Sequence, residues 1–541
     1  MRSATALILT DLDHGRLGHP ARLTDQLAGR SILQLTVERV ARIASISQMV
    51  LVHPQGQNPA ELVAGVTVKT YADPHQLRDP QTDQWVSARK FAPTAWRGGL
   101  GQATCYDELL PAGPLAQAAQ QFHAESVFIV RADWCCFDIA LAQAQLERHL
   151  EHPEQMKLIF TQAPPGLSGL VIHGQSLQQM AQGGGTIAKT LGYCPQKPAI
   201  DPIGKEVNLP ISASVRDCNR RFIYDTPRAI DQLCAIADRL GPAFVDADAQ
   251  TITDASRAVT TPLRLPQNIT LELTPRRDAT GPITPQHYTL LDRPDLDVAV
   301  GRDLIDQIAA EPDACLTFGG LGEPLLHPQW DTFVEHAAQA GVFGLALETD
   351  LLVDHSILDR LLELPLDLII VRLNADGAET YKKVMGVDSF SSVIENLQYL
   401  FNQRSQSSKI GVPWIIPRLV KTSQTLGDME SFFERWTSVA GHAILAPAQS
   451  GCGCMPEMSP IPMHPPKRIP CRQLGQRMSL LSNAQVALCD QDWHGKGSLG
   501  DAKTTKIKDI LHETAKVVDA HHQGQYHSLT LCGSCCEWHR P

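Results

Sequence analysis

Short apolar runs alternate with helical spacing of apolar side chains through the first 245 residues. ATALILT opens the chain, residues 30–44 carry a helical pattern, QMVLVHP follows, and SVFIVRAD comes later. This alternation predicts an α/β domain with a mostly parallel sheet. Residues 246–266, DADAQTITDASRAVTTPLRLP, are small, polar and proline-bearing, which predicts a linker. From 267 to 450 the alternation becomes regular, with strands expected at NITLELT, ACLTF, FGLALET, LDLIIVRLN, VPWIIPRLV and HAILAPA and helices at 330–339 and 391–404. Successive βα units of this kind predict a partial (βα)6 barrel, whose chemistry belongs at the C-terminal ends of its strands. The stretch SGCGCMPEMSPIPMHPPKRIPC then introduces a small C-terminal module, residues 451–541, expected to be held by ligands more than by an apolar core.

A chain of 541 residues exceeds the size at which one core keeps growing, so several domains are expected, and 43% hydrophobic residues can supply them. No apolar run approaches the roughly 18 residues that suggest a membrane span. The opening MRSATALILTDLD meets Asp11 after a stretch too short for a signal-peptide core, so a cytoplasmic location is expected. A net charge of −11 offers no basic footprint for nucleic acid.

Cysteine changes the picture more than charge does. In a chain not expected to be exported, fourteen cysteines argue for metal or redox chemistry over disulfides. Seven of them (Cys452, Cys454, Cys471, Cys489, Cys532, Cys535, Cys536) crowd into the last ninety residues. Cys471 and Cys489 are separated by seventeen residues, and Cys532 and Cys535 form a CxxC pair. Four such thiolates complete an iron–sulfur cluster or a structural zinc site, and unliganded thiols are the third reading. A seventeen-residue gap is not that of a zinc-knuckle pair.

The segments PCRQLGQRMSLLSNAQVALCDQDWHGKGSLGD and LCGSCCEW resemble the SPASM domain, in its shortened four-cysteine Twitch form, found behind radical SAM barrels. The resemblance implies one auxiliary [4Fe-4S] cluster on Cys471, Cys489, Cys532 and Cys535. Ala484 stands where the family usually has glycine, and the further cysteines of a full SPASM domain are missing. Cys536 is an alternative to Cys535, Cys452 and Cys454 either approach the module or line a loop, and His521, His522, His527 and His539 are rival ligands or, as histidines of a hydrophilic tail more often are, solvated.

TFGGLGEPLLHP, residues 317–328, resembles the radical SAM turn that holds the amino group of S-adenosylmethionine. The resemblance makes Gly319, Gly320, Gly322 and Glu323 candidates for binding that cofactor or a nucleotide. The family's defining CxxxCxxC loop is PRRDATGPIT here, with Arg277, Gly281 and Thr284 at the cysteine positions. None can act as a thiolate ligand, so reductive cleavage of S-adenosylmethionine is expected to be absent.

The N-terminal region resembles cytidylyltransferase-type nucleotidyltransferases that activate sugars for surface polymers. The resemblance rests on residues 6–40, on VFIVRADWCCFD and on FIYDTPRAID. It implies that Arg16 belongs to a phosphate loop and that Asp133 and Asp225 are the acidic groups for nucleotide and Mg2+. Asp11, Asp13 and His14 put negative or bulky groups where phosphate should approach. The leading expectation is an iron–sulfur protein acting in binding or electron transfer within a biosynthetic pathway, with a small molecule, a nucleotide or a redox protein as partner. Sugar nucleotidyl transfer, and radical SAM catalysis on an unconventional cluster, are its rivals.

Overall fold

The computed structural model describes residues 3–78, 83–92, 100, 109–183, 186–187, 191, 201–406, 412–461 and 464–539. The chain divides into two compact units, Met1–Pro262 and Leu263–Pro541.

The first unit is built on β1 (Ala4–Leu9), α1 (Ile32–Ala41), β2 (Ile46–Pro54), β3 (Lys69–Asp73), α2 (Ala112–Gln121), β4 (Ser126–Arg131), α3 (Ile139–Glu151), β5 (Leu158–Thr161), β6 (Leu170–His173), β7 (Asn208–Leu209), α4 (Pro227–Leu240) and α5 (Ala249–Ala258). Every residue of β1 and β4 is buried, as central parallel strands covered on both faces must be. The sheet runs β3-β2-β1-β4-β6-β5-β7, with β1 parallel to both β2 and β4 and with β6 antiparallel to β4. Chain order therefore leaves β1 toward β2 and β3 on one side and resumes with β4 on the other. That reversal creates a crevice at the C-terminal ends of β1 and β4, where open α/β sheets bind ligands.

Helix α5 occupies much of the segment expected to be a linker. Asp248 caps it by accepting from the Thr251 N–H, and Ala249, Ile252 and Ala255 bury against the core of the first unit. The division falls after Pro262 instead, within 246–266.

The second unit contains β8 (Asn268–Leu271), α6 (Val298–Ala309), β9 (Cys315–Phe318), α7 (Trp330–Gln339), β10 (Gly344–Thr349), α8 (His355–Glu363), β11 (Leu368–Val371), α9 (Ala378–Met385), α10 (Phe390–Gln406), β12 (Trp414–Lys421), α11 (Met429–Ala440), β13 (Ile444–Pro447), β14 (Arg477–Leu480), β15 (Gln485–Ala487), β16 (Gly500–Asp501) and α12 (Ile507–His522). Strands β8 to β13 are parallel and follow sequence order, which makes a partial (βα)6 barrel. Together the two units form a mixed α/β architecture with parallel sheets.

The cysteine-rich segment does not stand apart from this sheet. Strand β14 pairs parallel with β8, and β15 and β16 continue antiparallel beyond it. Met478, Leu480, Val486, Ile507, Ile510 and Leu511 share the barrel's apolar core. The module therefore has a core of its own making with the barrel, contrary to the expectation that ligands chiefly hold it. Among the described residues, no helix is long and apolar enough to cross a membrane.

Candidate functional site

The C-terminal cysteines meet through the β14–β15 hairpin. Cys471 precedes β14, Cys489 follows β15, and Cys532 and Cys535 come after α12. All four line one small cavity, and a fifth thiol, Cys452 from the loop after β13, lines it with them. Cys536 is exposed, and neither it nor Cys454 is among the lining residues. Burial pushes the Cys532 thiol up to about 11 and pushes Cys489 up as well. The Cys452 thiol of the same cavity brings Cys535 down to about 6, which favours its thiolate.

Three further side chains line this cavity, of which the sequence reading offered only His521, as a rival ligand. Arg468 donates to the Cys532 carbonyl oxygen at 2.6 Å and stacks its guanidinium 4.3 Å from the Tyr526 ring centroid. Gln491 Oε1 accepts from the Gly451 N–H at 3.0 Å. His521 Nδ1 accepts from the Cys471 N–H at 3.2 Å, so its proton sits on Nε2. His521 is only 1% exposed, against the expectation of a solvated tail histidine. It continues the buried stripe of α12 through Ile507, Ile510, Leu511 and Thr514, so helical periodicity carried the signal.

Arg468 Nε, Gln491 Nε2 and His521 Nε2 are buried without a hydrogen-bond partner. Each orphaned donor costs about 1–3 kcal/mol. The acceptors they lack are those that a thiolate-bound iron–sulfur cluster presents, since hydrogen bonds to the sulfurs are part of how such sites are tuned. The donor set fits that group. A single tetrahedral zinc at about 2.3 Å from each sulfur draws four thiolates to about 3.8 Å of one another. Among the described residues, the group of three ligating atoms within 4.8 Å of one another is Asp11, Asp13 and His14, and the thiols form none.

At the C-terminal face of the barrel, arginines take up the acceptors of the glycine-rich turn. Arg372, just after β11, donates through Nη1 to the carbonyl oxygens of Gly320 (3.3 Å) and Gly322 (3.0 Å) and through Nη2 to Glu323 Oε2 at 3.0 Å. Glu323 also accepts from the N–H groups of Asp350 (2.6 Å) and Leu325 (3.2 Å). Gly319 packs near the Glu348 side chain, and a Cβ on Gly322 would overlap the Thr274 carbonyl oxygen. The turn thus keeps its glycine-dependent shape, and the Arg372 guanidinium takes up its carbonyl oxygens and the Glu323 carboxylate.

The loop after β8 is closed in the same way. Arg277 forks onto Asp350, Nε to Oδ2 at 2.7 Å and Nη2 to Oδ1 at 2.6 Å, and Asp350 also faces Arg372 Nε at 3.0 Å. Thr284 Oγ1 donates to the Gly281 carbonyl oxygen at 2.7 Å. Glu272–Arg293 and Glu348–Arg418 pairs complete a set of four carboxylates and four guanidiniums. Burial pushes Glu323 up; burial acts likewise on Asp350, yet Arg277 and Arg372 hold it below the usual carboxylate range.

The crevice of the first unit holds a cavity of about 570 Å³ lined by the loop after β1, by Asp133 after β4 and by Asp225. That size suits a small-molecule ligand. Arg16 lines it and reaches the carbonyl oxygens of Leu77 (3.0 Å) and Leu109 (3.1 Å). Asp133 pairs with Arg131, and Asp225 pairs with Arg221 and lies 3.4 Å from Arg131. Burial and the neighbouring Asp225 charge raise Asp133, and its Oδ1 is buried with no hydrogen-bond partner. Asp225 is held low by Arg221 and Arg131 despite burial. The structure therefore brings Arg16, Asp133 and Asp225 to one cavity, with Asp11, Asp13 and His14 at the same wall.

No protein-family model matches the chain. An uncharacterised protein of Treponema pallidum is 28% identical over 133 residues, 24% of this chain and 35% of that protein, so the chain covers about a third of that relative's length. Among solved structures, BtrN in complex with AdoMet and 2-DOIA is similar at a TM-score of 0.36 and 16% identity, over 50% of this chain and 93% of that one. SuiB of Streptococcus suis gives 0.39 and 11%, over 53% and 76%. A cytidylyltransferase from Leptospira borgpetersenii gives 0.33 and 9%, over 48% and 94%. At these scores the architecture rests on the strand orders described above.

Proposed function

We propose that the chain is a radical SAM/SPASM-like iron–sulfur protein that holds one [4Fe-4S] cluster on its C-terminal cysteines and does not cleave S-adenosylmethionine. The observation that carries this reading is the thiol-lined cavity with its three buried, partnerless N–H donors. Cys471, Cys489, Cys532 and Cys535 would hold the cluster, which when bound supplies one-electron chemistry. Arg468, Gln491 and His521 would donate to its sulfurs. In the barrel, Arg277 stands at a cysteine position of the resemblance and is paired to Asp350, and Arg372 takes up the carbonyl oxygens of the glycine-rich turn, which supports loss of the radical reaction. The role left to such a chain is electron transfer or binding within a biosynthetic assembly, with surface glycans suggested by the N-terminal resemblance alone.

Anaerobic purification with iron and sulfide analysis tests this. About four irons and four sulfides per chain are expected, coloured in the visible and lost in Cys489→Ala and Cys532→Ala. Dithionite and S-adenosylmethionine should then yield no 5′-deoxyadenosine. Stoichiometric zinc, about eight irons, or multiple turnovers of 5′-deoxyadenosine would each overturn the reading.

A second reading concerns the first unit, because its cavity lies at the sheet's switch point and is lined by Asp133, whose Oδ1 is buried without a hydrogen-bond partner. A nucleotide bound with Mg2+ suits that arrangement, the cation offsetting the acidic wall. Calorimetric titration with a nucleoside triphosphate and Mg2+ should show binding that weakens at least tenfold in Asp133→Ala. Equal affinities would confine Asp133 to holding Arg131.

A further inference from the structure

The wall of the first unit's cavity carries Asp11, Asp13 and His14 on the loop after β1. One ligating atom from each lies within 4.8 Å of the other two. Donors held about 2.2 Å from one divalent ion lie at most about 4.4 Å apart, so the three need only small side-chain movements to share an ion. The loop that carries them is braced. His14 bridges antiparallel to Pro20, the Gly15 N–H donates to the His19 carbonyl oxygen at 2.7 Å, and the Ala21 N–H donates to that of Asp13 at 3.0 Å. From the loop after β2, Gln57 Nε2 donates to Asp11 Oδ1 and to Asp13 Oδ2, both at 2.9 Å, leaving the second oxygen of each carboxylate to a ligand.

A second feature of the same cavity points to a missing positive charge. Asp133, 8% exposed, lines the cavity from the end of β4, and its Oδ1 is buried with no hydrogen-bond partner. The arginines nearby are engaged elsewhere. Arg131 pairs with Asp133 Oδ2, and Arg221 forks onto both oxygens of Asp225. Arg16 is turned to the carbonyl oxygens of Leu77 and Leu109, and Arg22 pairs with Asp25. An anion entering the cavity therefore meets two like charges at the wall, a repulsion that these arginines do not offset. We propose that Asp11, Asp13 and His14 bind a divalent cation of the Mn2+ class at this wall. Two carboxylates suit Mg2+, Ca2+ and Mn2+, while an imidazole favours transition metals, and Mn2+ meets both demands. The ion cancels the charge of the two carboxylates and keeps coordination positions for water or for a phosphate oxygen. It names where the cation of the nucleotide reading sits, yet it binds without the nucleotide.

The test is Mn2+ alone, titrated into the full chain in metal-free buffer and followed by the EPR signal of the free ion. The set is wild type, Asp13→Asn, His14→Ala and Asp133→Asn. Asp11 is left in place because its Oδ1 also accepts from the N–H groups of Asp13 and His14 and so shapes the turn. Asp13 and His14 are exposed, so their variants should fold, which far-UV circular dichroism checks. Wild type is expected to take up about one Mn2+ per chain, Asp13→Asn and His14→Ala each to bind at least tenfold more weakly, and Asp133→Asn to lose less than either. Equal affinity in wild type and either wall variant would overturn the three-ligand site, and so would loss confined to Asp133→Asn, which would move the ion to the end of β4. Wild type that takes up no Mn2+ would overturn the inference and leave the nucleotide reading to its own titration. A nucleoside triphosphate that stays unbound with Mn2+ in place would overturn that reading and leave the cation site standing.

Discussion

A methyl group on Gly281 would overlap the carbonyl oxygen of Val384 and crowd Met385 and Gly386, because the end of α9 lies directly against the loop after β8. The position that a cluster-binding loop gives to its second cysteine therefore has no room for a side chain here. It follows that the triple variant Arg277→Cys, Gly281→Cys, Thr284→Cys does not recover a second cluster. The new side chain overpacks, at a cost of about 1–3 kcal/mol or more, and removing Arg277 strips Asp350 of its forked partner. Reconstituted protein should still carry about four irons per chain and melt at a lower temperature than wild type; a gain of about four more irons would show that the loop can reopen. The missing cysteines were legible in the sequence, and so was the spacing of Cys471, Cys489, Cys532 and Cys535. Arg468 and Gln491 were not, because each reaches the cavity by a long side chain that leaves no periodic trace, and the sequence left open whether Cys452 joins the cavity or lines its loop. Ala484 shows the opposite case: it keeps a left-handed φ of 66° at the usual glycine position, so the departure in sequence leaves the turn in place.

At the scale of elements, the regular alternation of the barrel read through almost without error. Helix α7 covers the expected 330–339, and α10 runs from Phe390 to Gln406 against an expected 391–404. Strand-by-strand apolar runs fix such units because buried parallel strands leave few alternatives. Two things escaped. Helix α5 has the polar composition of a linker, and only its capping aspartate and its buried Ile252 mark it as packed. The pairing of β14 with β8 is non-local, and nothing in either strand names the other. The ion pairs at the barrel mouth also escaped, although their members stand at or just past strand ends: Glu272 after β8, Asp350 after β10 and Arg372 after β11. Six of these eight charged side chains are buried, which is costly, and a buried pair often contributes little net stability. What their equal numbers and forked geometry provide is a polar mouth in which every carboxylate has a guanidinium partner.

At the scale of the whole molecule, a chain of two compact units need not unfold in one step, and an acid-sensitive group in one unit should be read in that unit's transition. His442 is such a group. It sits just before β13, packed against the rings of Trp414 and Phe433, and burial lowers it to about 4 from an ordinary 6.5. Its Nδ1 has no hydrogen-bond partner, so the folded unit gains nothing by charging it. Below pH 6.5 the unfolded chain takes up a proton that the folded unit refuses until about pH 4. The stabilisation is thus fully present above pH 6.5 and is lost progressively as the pH falls through that window, on the order of 3 kcal/mol in all. Glu323, raised by burial, works in the opposite sense, so the net slope of wild type mixes both. Comparison with His442→Phe isolates the histidine, because an apolar ring keeps the packing and removes the proton site. Urea unfolding of the Leu263–Pro541 transition should show wild type losing stability relative to His442→Phe between pH 6.5 and 4, with the two parallel above pH 7. A constant difference across the whole range would mean that His442 is charged in the folded unit.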